Sequence, residues 1–143
     1  MNPHGGDTGR PDGRFYAILD TGYVPRERWR ATCAALIDGG AGLVQLRAKR
    51  ETPRERAALL EEILPLFADR ETAPALIVND DLALALRHPH VGLHIGQEDT
   101  PPLVARGQLG PHRLLGLSTH SLAQASGALA LPAGTLDYFA VGP

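Results

Sequence analysis

The chain has 143 residues, 43% hydrophobic and 21% charged, with a formal net charge of −2, the composition of one soluble globular domain. That balance gives no general affinity for nucleic acid or a membrane surface, and no apolar run reaches the length of a membrane span. The single cysteine, Cys33, excludes an intramolecular disulfide and suits the cytoplasm.

Residues 1–13, rich in Gly, Pro and Asp, read as a flexible leader without the apolar stretch of a signal peptide. From residue 14 the chain alternates strand and helix signals. "RFYAILD" (Arg14 to Asp20) is a first strand. Pro25 opens a helix in which Trp29, Cys33, Leu36 and Ile37 fall at helical spacing, and Gly39-Gly40 ends it. Cys33 is expected to pack in the core. "GLVQLRAK" is the second strand. Thr52-Pro53-Arg54-Glu55 then has the form of a capping box with proline at the first helical position. Leu59, Leu60, Ile63 and Leu64 form the apolar stripe of that helix, which Pro65 kinks or shortens. "APALIVND" is a third strand and "DLALALR" a short helix. "VGLHIGQED" is a fourth strand running into a loop, and Thr100-Pro101 caps a helix ending near Gly110. "LLGLSTHS" is a fifth strand, Ser121 the N-cap of the next helix, and "DYFAVGP" a sixth strand.

The strands are continuous apolar runs, which indicates a parallel sheet covered by helices. A (β/α)8 barrel and an open doubly wound sheet both fit the spacing. No GxGxxG follows the first strand, which weakens a dinucleotide-binding version.

In parallel α/β folds, sites are built at the carboxyl ends of the strands. Polar residues collect there: Asp20 on the first strand; Gln45, Arg47 and Lys49 on the second; Asn79 and Asp80 on the third. His94 through Asp99 follow the fourth, and Ser118, Thr119 and His120 the fifth. Gln45, Arg47 and Lys49 stand at alternate positions, so an extended chain turns all three to one face. Buried cations need a partner, so that face calls for an anion. Of 14 basic residues Lys49 is the one lysine. Asp80 and Asp99 are candidate ligands for a hard cation such as Mg2+, which takes one or two carboxylates together with substrate phosphates. Both also fit helix N-caps, although Asp81 is the better cap in the first case. His94, among apolar neighbours, reads as a hydrogen-bonded core histidine. His120, at a strand end, is a candidate acid/base.

On the motifs "GGAGLVQLRAK", "LIVNDDLALA", "GLHIGQED", "LLGLSTHS" and "DYFAVGP", in this order, the chain resembles the thiamine phosphate synthase family across residues 15 to 143. The resemblance implies a (β/α)8 barrel transferase. Its small-molecule substrates would be 4-amino-2-methyl-5-pyrimidinylmethyl diphosphate and a thiazole phosphate, joined with release of pyrophosphate in thiamine biosynthesis. By the same resemblance Gln45, Arg47, Lys49 and Asn79 hold the pyrimidine diphosphate, Asp80 and Asp99 bind Mg2+, and Ser118 lies beside the pyrimidine. Related thiazole tautomerases share the fold and the strand-end histidine, here His120, but typically lack the Asn-Asp and Gly-Gln-Glu-Asp pairs; both pairs are present here, which favours a synthase over the alternative of a tautomerase-like protein.

Six strands fall short of an eight-stranded barrel. The chain is therefore expected to form an incomplete barrel over residues 14–143, corresponding to the amino-terminal two-thirds of a synthase. Three readings stay open: a synthase, a non-catalytic module binding Mg2+ and a diphosphate, and an inactive fragment whose unclosed edge favours self-association.

Overall fold

A computed structural model describes residues 11–68 and 73–143; most of the expected leader, residues 1–10 with His4 among them, lies outside the described residues. Six strands form one parallel sheet in the order β1-β2-β3-β4-β5-β6. They are β1 (Tyr16–Asp20), β2 (Leu43–Arg47), β3 (Ala75–Asn79), β4 (Gly92–Ile95), β5 (Leu115–Thr119) and β6 (Tyr138–Val141). Helices α1 (Trp29–Asp38), α2 (Pro53–Ile63), α3 (Pro65–Ala68), α4 (Leu82–Leu86), α5 (Pro102–Leu109) and α6 (Leu122–Ala130) occupy the connections. A strictly sequential order is that of a barrel wall, whereas a doubly wound sheet reverses direction part-way across. The sheet is also bent. The Tyr16 hydroxyl on β1 and the Tyr138 hydroxyl on β6 lie 2.6 Å apart, which a flat six-stranded sheet, with strands nearly 5 Å apart, would not allow. The architecture is a half-barrel.

Alternation along each strand separates two environments. Ala17, Leu19, Val44, Leu46, Leu76, Val78, Leu93, Ile95, Leu115 and Leu117 face outward and are buried beneath the helices. Against them pack Trp29, Cys33 and Ile37 of α1 and Leu59, Leu60 and Ile63 of α2. Complete burial of side chains of this size contributes roughly 1.5–3 kcal/mol each. Cys33 is fully buried, as expected of a core residue, and burial pushes its thiol up to about 11.

Most helix signals hold. Thr52 and Glu55 form the reciprocal capping box at the start of α2. Asp81 and Ser121 accept from Leu84 N and Gln124 N and cap α4 and α6. Gly40 takes the left-handed conformation, φ 92°, just past α1. Pro65 ends α2 and begins the separate short α3. Two expectations are corrected. Residues 26–28 after Pro25 form a 3-10 turn, and α1 proper begins only at Trp29. At α5 the N-cap is Pro101 with no side-chain cap, so neither Thr100 nor Asp99 serves that role; the fixed φ of proline sets the entry instead.

Candidate functional site

The inner face of the half-barrel carries Tyr16 and Ile18 from β1, Gln45 and Arg47 from β2, and Asn79 from β3. His94, Ser118 and Tyr138 follow from β4, β5 and β6, and together they line a cavity of about 450 Å³. A second cavity of about 490 Å³ adjoins at the strand ends, lined by Lys49, Arg56, Asn79, Asp80, Asp81 and Thr100 among others. Asn79 borders both. A larger one, about 670 Å³, lies between the loop after β1 and α2. It touches none of the candidate residues, and its polar Thr21 and Glu51 are hydrogen-bonded to each other.

Expected site residues therefore divide between two adjoining spaces. Gln45 and Arg47 share the inner face as their spacing requires. Lys49 does not continue it: β2 ends at Arg47, and Lys49, beyond the strand, reaches Asp80 at 3.7 Å with its side chain 53% exposed. The alternation holds only as far as the chain remains extended. Arg47 also has an anion within the chain. Asp20 is its partner in the β1–β2 register, and the two side chains form an ion pair. Asp20 thereby orients the guanidinium toward the inner face and offsets part of its charge.

Asp80 is the one described non-glycine residue with positive φ, 63°, an uncommon backbone state for a residue with a side chain. Its N–H is held by the His94 carbonyl at 2.8 Å. This turn separates the consecutive aspartates: Asp81 caps α4 and accepts from Arg56 Nε at 2.8 Å, while the Asp80 carboxyl goes to the site. There it meets Asp99, whose Oδ2 is anchored by Gly96 N at 2.7 Å. Burial, then the hydrogen bond and charge of Asp99, raise the Asp80 pKa, against the lowering influence of Lys49 and Asn79. Two carboxyls this close favour either a shared proton or a cation between them. Among the described residues no group of three or more His, Cys, Asp or Glu converges on one point. The pair fits Mg2+ held by two carboxylates and completed by ligand oxygens, and does not suit a metal that needs three or four protein ligands.

His94 is buried and both its nitrogens are bonded, Nδ1 to the Tyr138 hydroxyl at 3.0 Å and Nε2 to Ser118 Oγ at 2.7 Å. It is a satisfied histidine, as expected, yet it also lines the cavity. Burial lowers its pKa to about 4, so the ring is neutral near pH 7. Asn79, His94, Gly116 and Tyr138 are register partners in sequence across β3 to β6. A Cβ at Gly116 would stand 2.1 Å from Tyr138 Cζ. The glycine lets the Tyr138 ring lean across β5 and stack on His94, with centroids 5.6 Å apart. Burial above all raises the pKa values of Tyr138 and Tyr16. His120, exposed, instead turns Nδ1 toward the carbonyls of Gly142 and Pro143 and does not line either cavity.

Tyr16, Tyr138 and Asp20's pairing with Arg47 were not anticipated as parts of the site. Each tyrosine sits in an apolar run, and period-2 alternation with Ile18 and Ala140 is the one signal that places them on the inner face.

Fold and site together define a β/α half-barrel whose polar groups converge at the carboxyl ends of its strands. The chain belongs to the thiamine monophosphate synthase family, which it matches over residues 15–143. It is 41% identical over 132 residues to the thiamine-phosphate synthase of Herpetosiphon aurantiacus, covering 92% of this chain and 61% of that protein. To the thiamine-phosphate synthase of Chloroflexus aurantiacus it is 39% identical over 133 residues, 92% of this chain and 58% of the relative. The solved structure of thiamine phosphate pyrophosphorylase from Pyrococcus furiosus superposes with a TM-score of 0.75 at 27% identity, over 92% of this chain and 60% of that one. The chain thus spans about three-fifths of the length of these relatives. No described helix is long and apolar enough to cross a membrane.

Proposed function

We propose that the site binds a pyrimidinylmethyl diphosphate with Mg2+ and serves a thiamine-phosphate synthase-type transfer in the cytoplasm, the second substrate being a thiazole phosphate. The observation that carries this reading is the meeting of Arg47, Lys49, Asn79 and Asp80 around two adjoining cavities, one lined largely by aromatic and apolar groups, the other rich in charges, with Asp99 hydrogen-bonded to Asp80 at its edge. In the reaction the carbon–oxygen bond to the diphosphate breaks with its electron pair going to oxygen, and the thiazole nitrogen supplies the pair for the new carbon–nitrogen bond. The developing charge is on the leaving diphosphate, so catalysis consists of fixed positive charge and donors placed there.

Arg47 is held by Asp20 and supplies a planar fork of donors. Lys49 supplies a mobile point charge, and Asn79 borders both cavities, where its amide can bond the junction of ring and diphosphate. Asp80 and Asp99 would hold Mg2+, which supplies neutralisation of diphosphate oxygens. Gln45 and Ser118 face the pyrimidine, and Tyr16, His94 and Tyr138 wall it from water. No nucleophilic side chain is required. His120 has no role in this scheme.

Calorimetric titration of the chain with the pyrimidine diphosphate, with and without Mg2+, tests the site: Mg2+-dependent heat is expected, and its absence overturns the reading. Product formed from both substrates supports the full transfer; binding without product limits the chain to a diphosphate-binding module.

A further inference from the structure

The inner face holds a continuous hydrogen-bonded row. Gln45 Nε2 donates to the Tyr16 hydroxyl at 2.8 Å, the two tyrosine hydroxyls are 2.6 Å apart, Tyr138 Oη is 3.0 Å from His94 Nδ1, and His94 Nε2 is 2.7 Å from Ser118 Oγ. It draws on β1, β2, β4, β5 and β6, so no stretch of sequence contains it.

Each of the four groups after Gln45 has one proton to give: two neutral phenols, one neutral imidazole and one hydroxyl. Three links need three donors. If Tyr16 donates to Tyr138, then Tyr138 donates to Nδ1 and Nε2–H donates to Ser118. The serine proton alone is then left over, and it sits at the cavity wall. If the links run the other way, Tyr16 accepts from both Gln45 and Tyr138, and its own part-buried proton has no acceptor in the row. Both hydroxyls are part-buried, but Tyr16 Oη already meets Gln45 and Tyr138 whereas Ser118 Oγ meets His94 alone, so the leftover proton is accommodated on the serine and would be stranded on the tyrosine. The direction hangs on which end of the Gln45 amide faces Tyr16, and the structure places Nε2 there.

We infer that Gln45, Tyr16, Tyr138 and His94 form a one-way hydrogen-bond relay that fixes His94 in its Nε2–H tautomer and makes Ser118 a hydrogen-bond donor to the ligand. Tyr16, Tyr138 and His94 are positioning residues acting through Ser118. Ser118 already accepts from His94, so its proton is free for an acceptor atom such as an aromatic ring nitrogen. That consequence rests on the function proposed above; the tautomer itself does not.

Long-range 15N–1H correlation spectra of the ligand-free, 15N-labelled chain at pH 8 test it. The His94 signals are identified by their loss in His94→Gln. A protonated, pyrrole-type Nε2 and an unprotonated, pyridine-type Nδ1 are expected; the opposite pattern, or one averaged between them, overturns the relay. In Gln45→Glu the ionised carboxylate can only accept from Tyr16, so the row must reverse and His94 must switch to Nδ1–H. Position 45 is buried, which raises a carboxyl pKa, so ionisation is followed by the carboxyl 13C shift as the pH is raised; retention of Nε2–H in the folded variant with that carboxyl ionised overturns the claim. Tyr16→Phe serves should Gln45→Glu not fold: His94 Nδ1 is then the one acceptor left to Tyr138 in the row, so Nε2–H is expected to persist, and a switch to Nδ1–H or an averaged signal overturns the donor count. All of these readings are made without ligand, so a failure of Mg2+-dependent binding would remove the proposed function and leave the tautomer result standing.

Discussion

Asp20 and Arg47 are paired twice, as register partners across β1 and β2 and as an ion pair at the cavity rim. The carboxylate aims the guanidinium and also competes with any anion that approaches it. Removing its charge while keeping its shape should favour the ligand: Asp20→Asn is expected to tighten inorganic pyrophosphate binding about fivefold, the effect of roughly 1 kcal/mol of screened repulsion. Isothermal titration at fixed ionic strength checks this, and weaker binding would show that orientation outweighs charge.

Arg47→Ala should weaken diphosphate binding about 10- to 100-fold, the loss of one or two charge-assisted hydrogen bonds of roughly 1.5–3 kcal/mol. Arg54, exposed in the first turn of α2, is the control, and Arg54→Ala should change affinity less than about twofold. Equal effects from the two would count against the inner-face site.

Asp80 and Asp99 repel each other without a cation. Asp80→Asn removes that repulsion, so the metal-free variant should melt at or above the wild-type temperature, and the upward shift expected of the parent with Mg2+ should be lost. Asp99→Asn should likewise abolish the Mg2+ shift, while its Oδ1 can still accept from Gly96 N. Thermal melts with and without Mg2+ decide; a large loss of metal-free stability in Asp99→Asn would assign that residue to the loop's structure instead.

Arg106 joins parts of the chain near the amino ends of the strands. Its guanidinium serves the carbonyls of Thr135, Gly110 and Arg113 and the carboxylate of Asp137, which also accepts from Leu115 N. The Arg106 side chain is 12% exposed. Arg106→Ala strands several acceptors at once and is expected to cost about 3 kcal/mol in urea unfolding. Recovery of most of that stability by Arg106→Lys would be unexpected, because an ammonium cannot span the set.

Cys33 gives a pH test. Burial raises its folded-state pKa to about 11, above the ordinary thiol value of 9.0, so between those values the unfolded chain gives up a proton that the folded chain keeps. Stability is fully present below pH 9 and falls as pH rises toward 11, by at most about 1.4 kcal/mol per unit from this group. Cys33→Ala should show a shallower decline over the same range in chemical denaturation.

Much of the fold is legible in the sequence because its determinants are local. Capping box, N-cap aspartate, proline and glycine stops are read within a few residues of where they act, and apolar strand runs need only a cover of helices. The site is legible where the same is true: Gln45 and Arg47 follow from alternation, and Asp80 is released because Asp81 takes the cap. Lys49 departs from alternation because the extended backbone ends at Arg47, which an apolar-run argument does not locate. The tyrosine row is harder still. Tyr16 and Tyr138 are 122 residues apart, and what brings them together is the curvature of the whole sheet.

The space that Gly116 leaves open has a counterpart in how this site would be lost. The Tyr138 ring occupies the room a β5 side chain would take, so the cavity wall depends on a position that contributes no functional group of its own. A single methyl at 116 would act as a wedge, displacing the tyrosine from His94 while every polar candidate remained in the sequence. An inventory of intact polar side chains would find nothing missing from such a protein, although the wall of its cavity would already be disassembled.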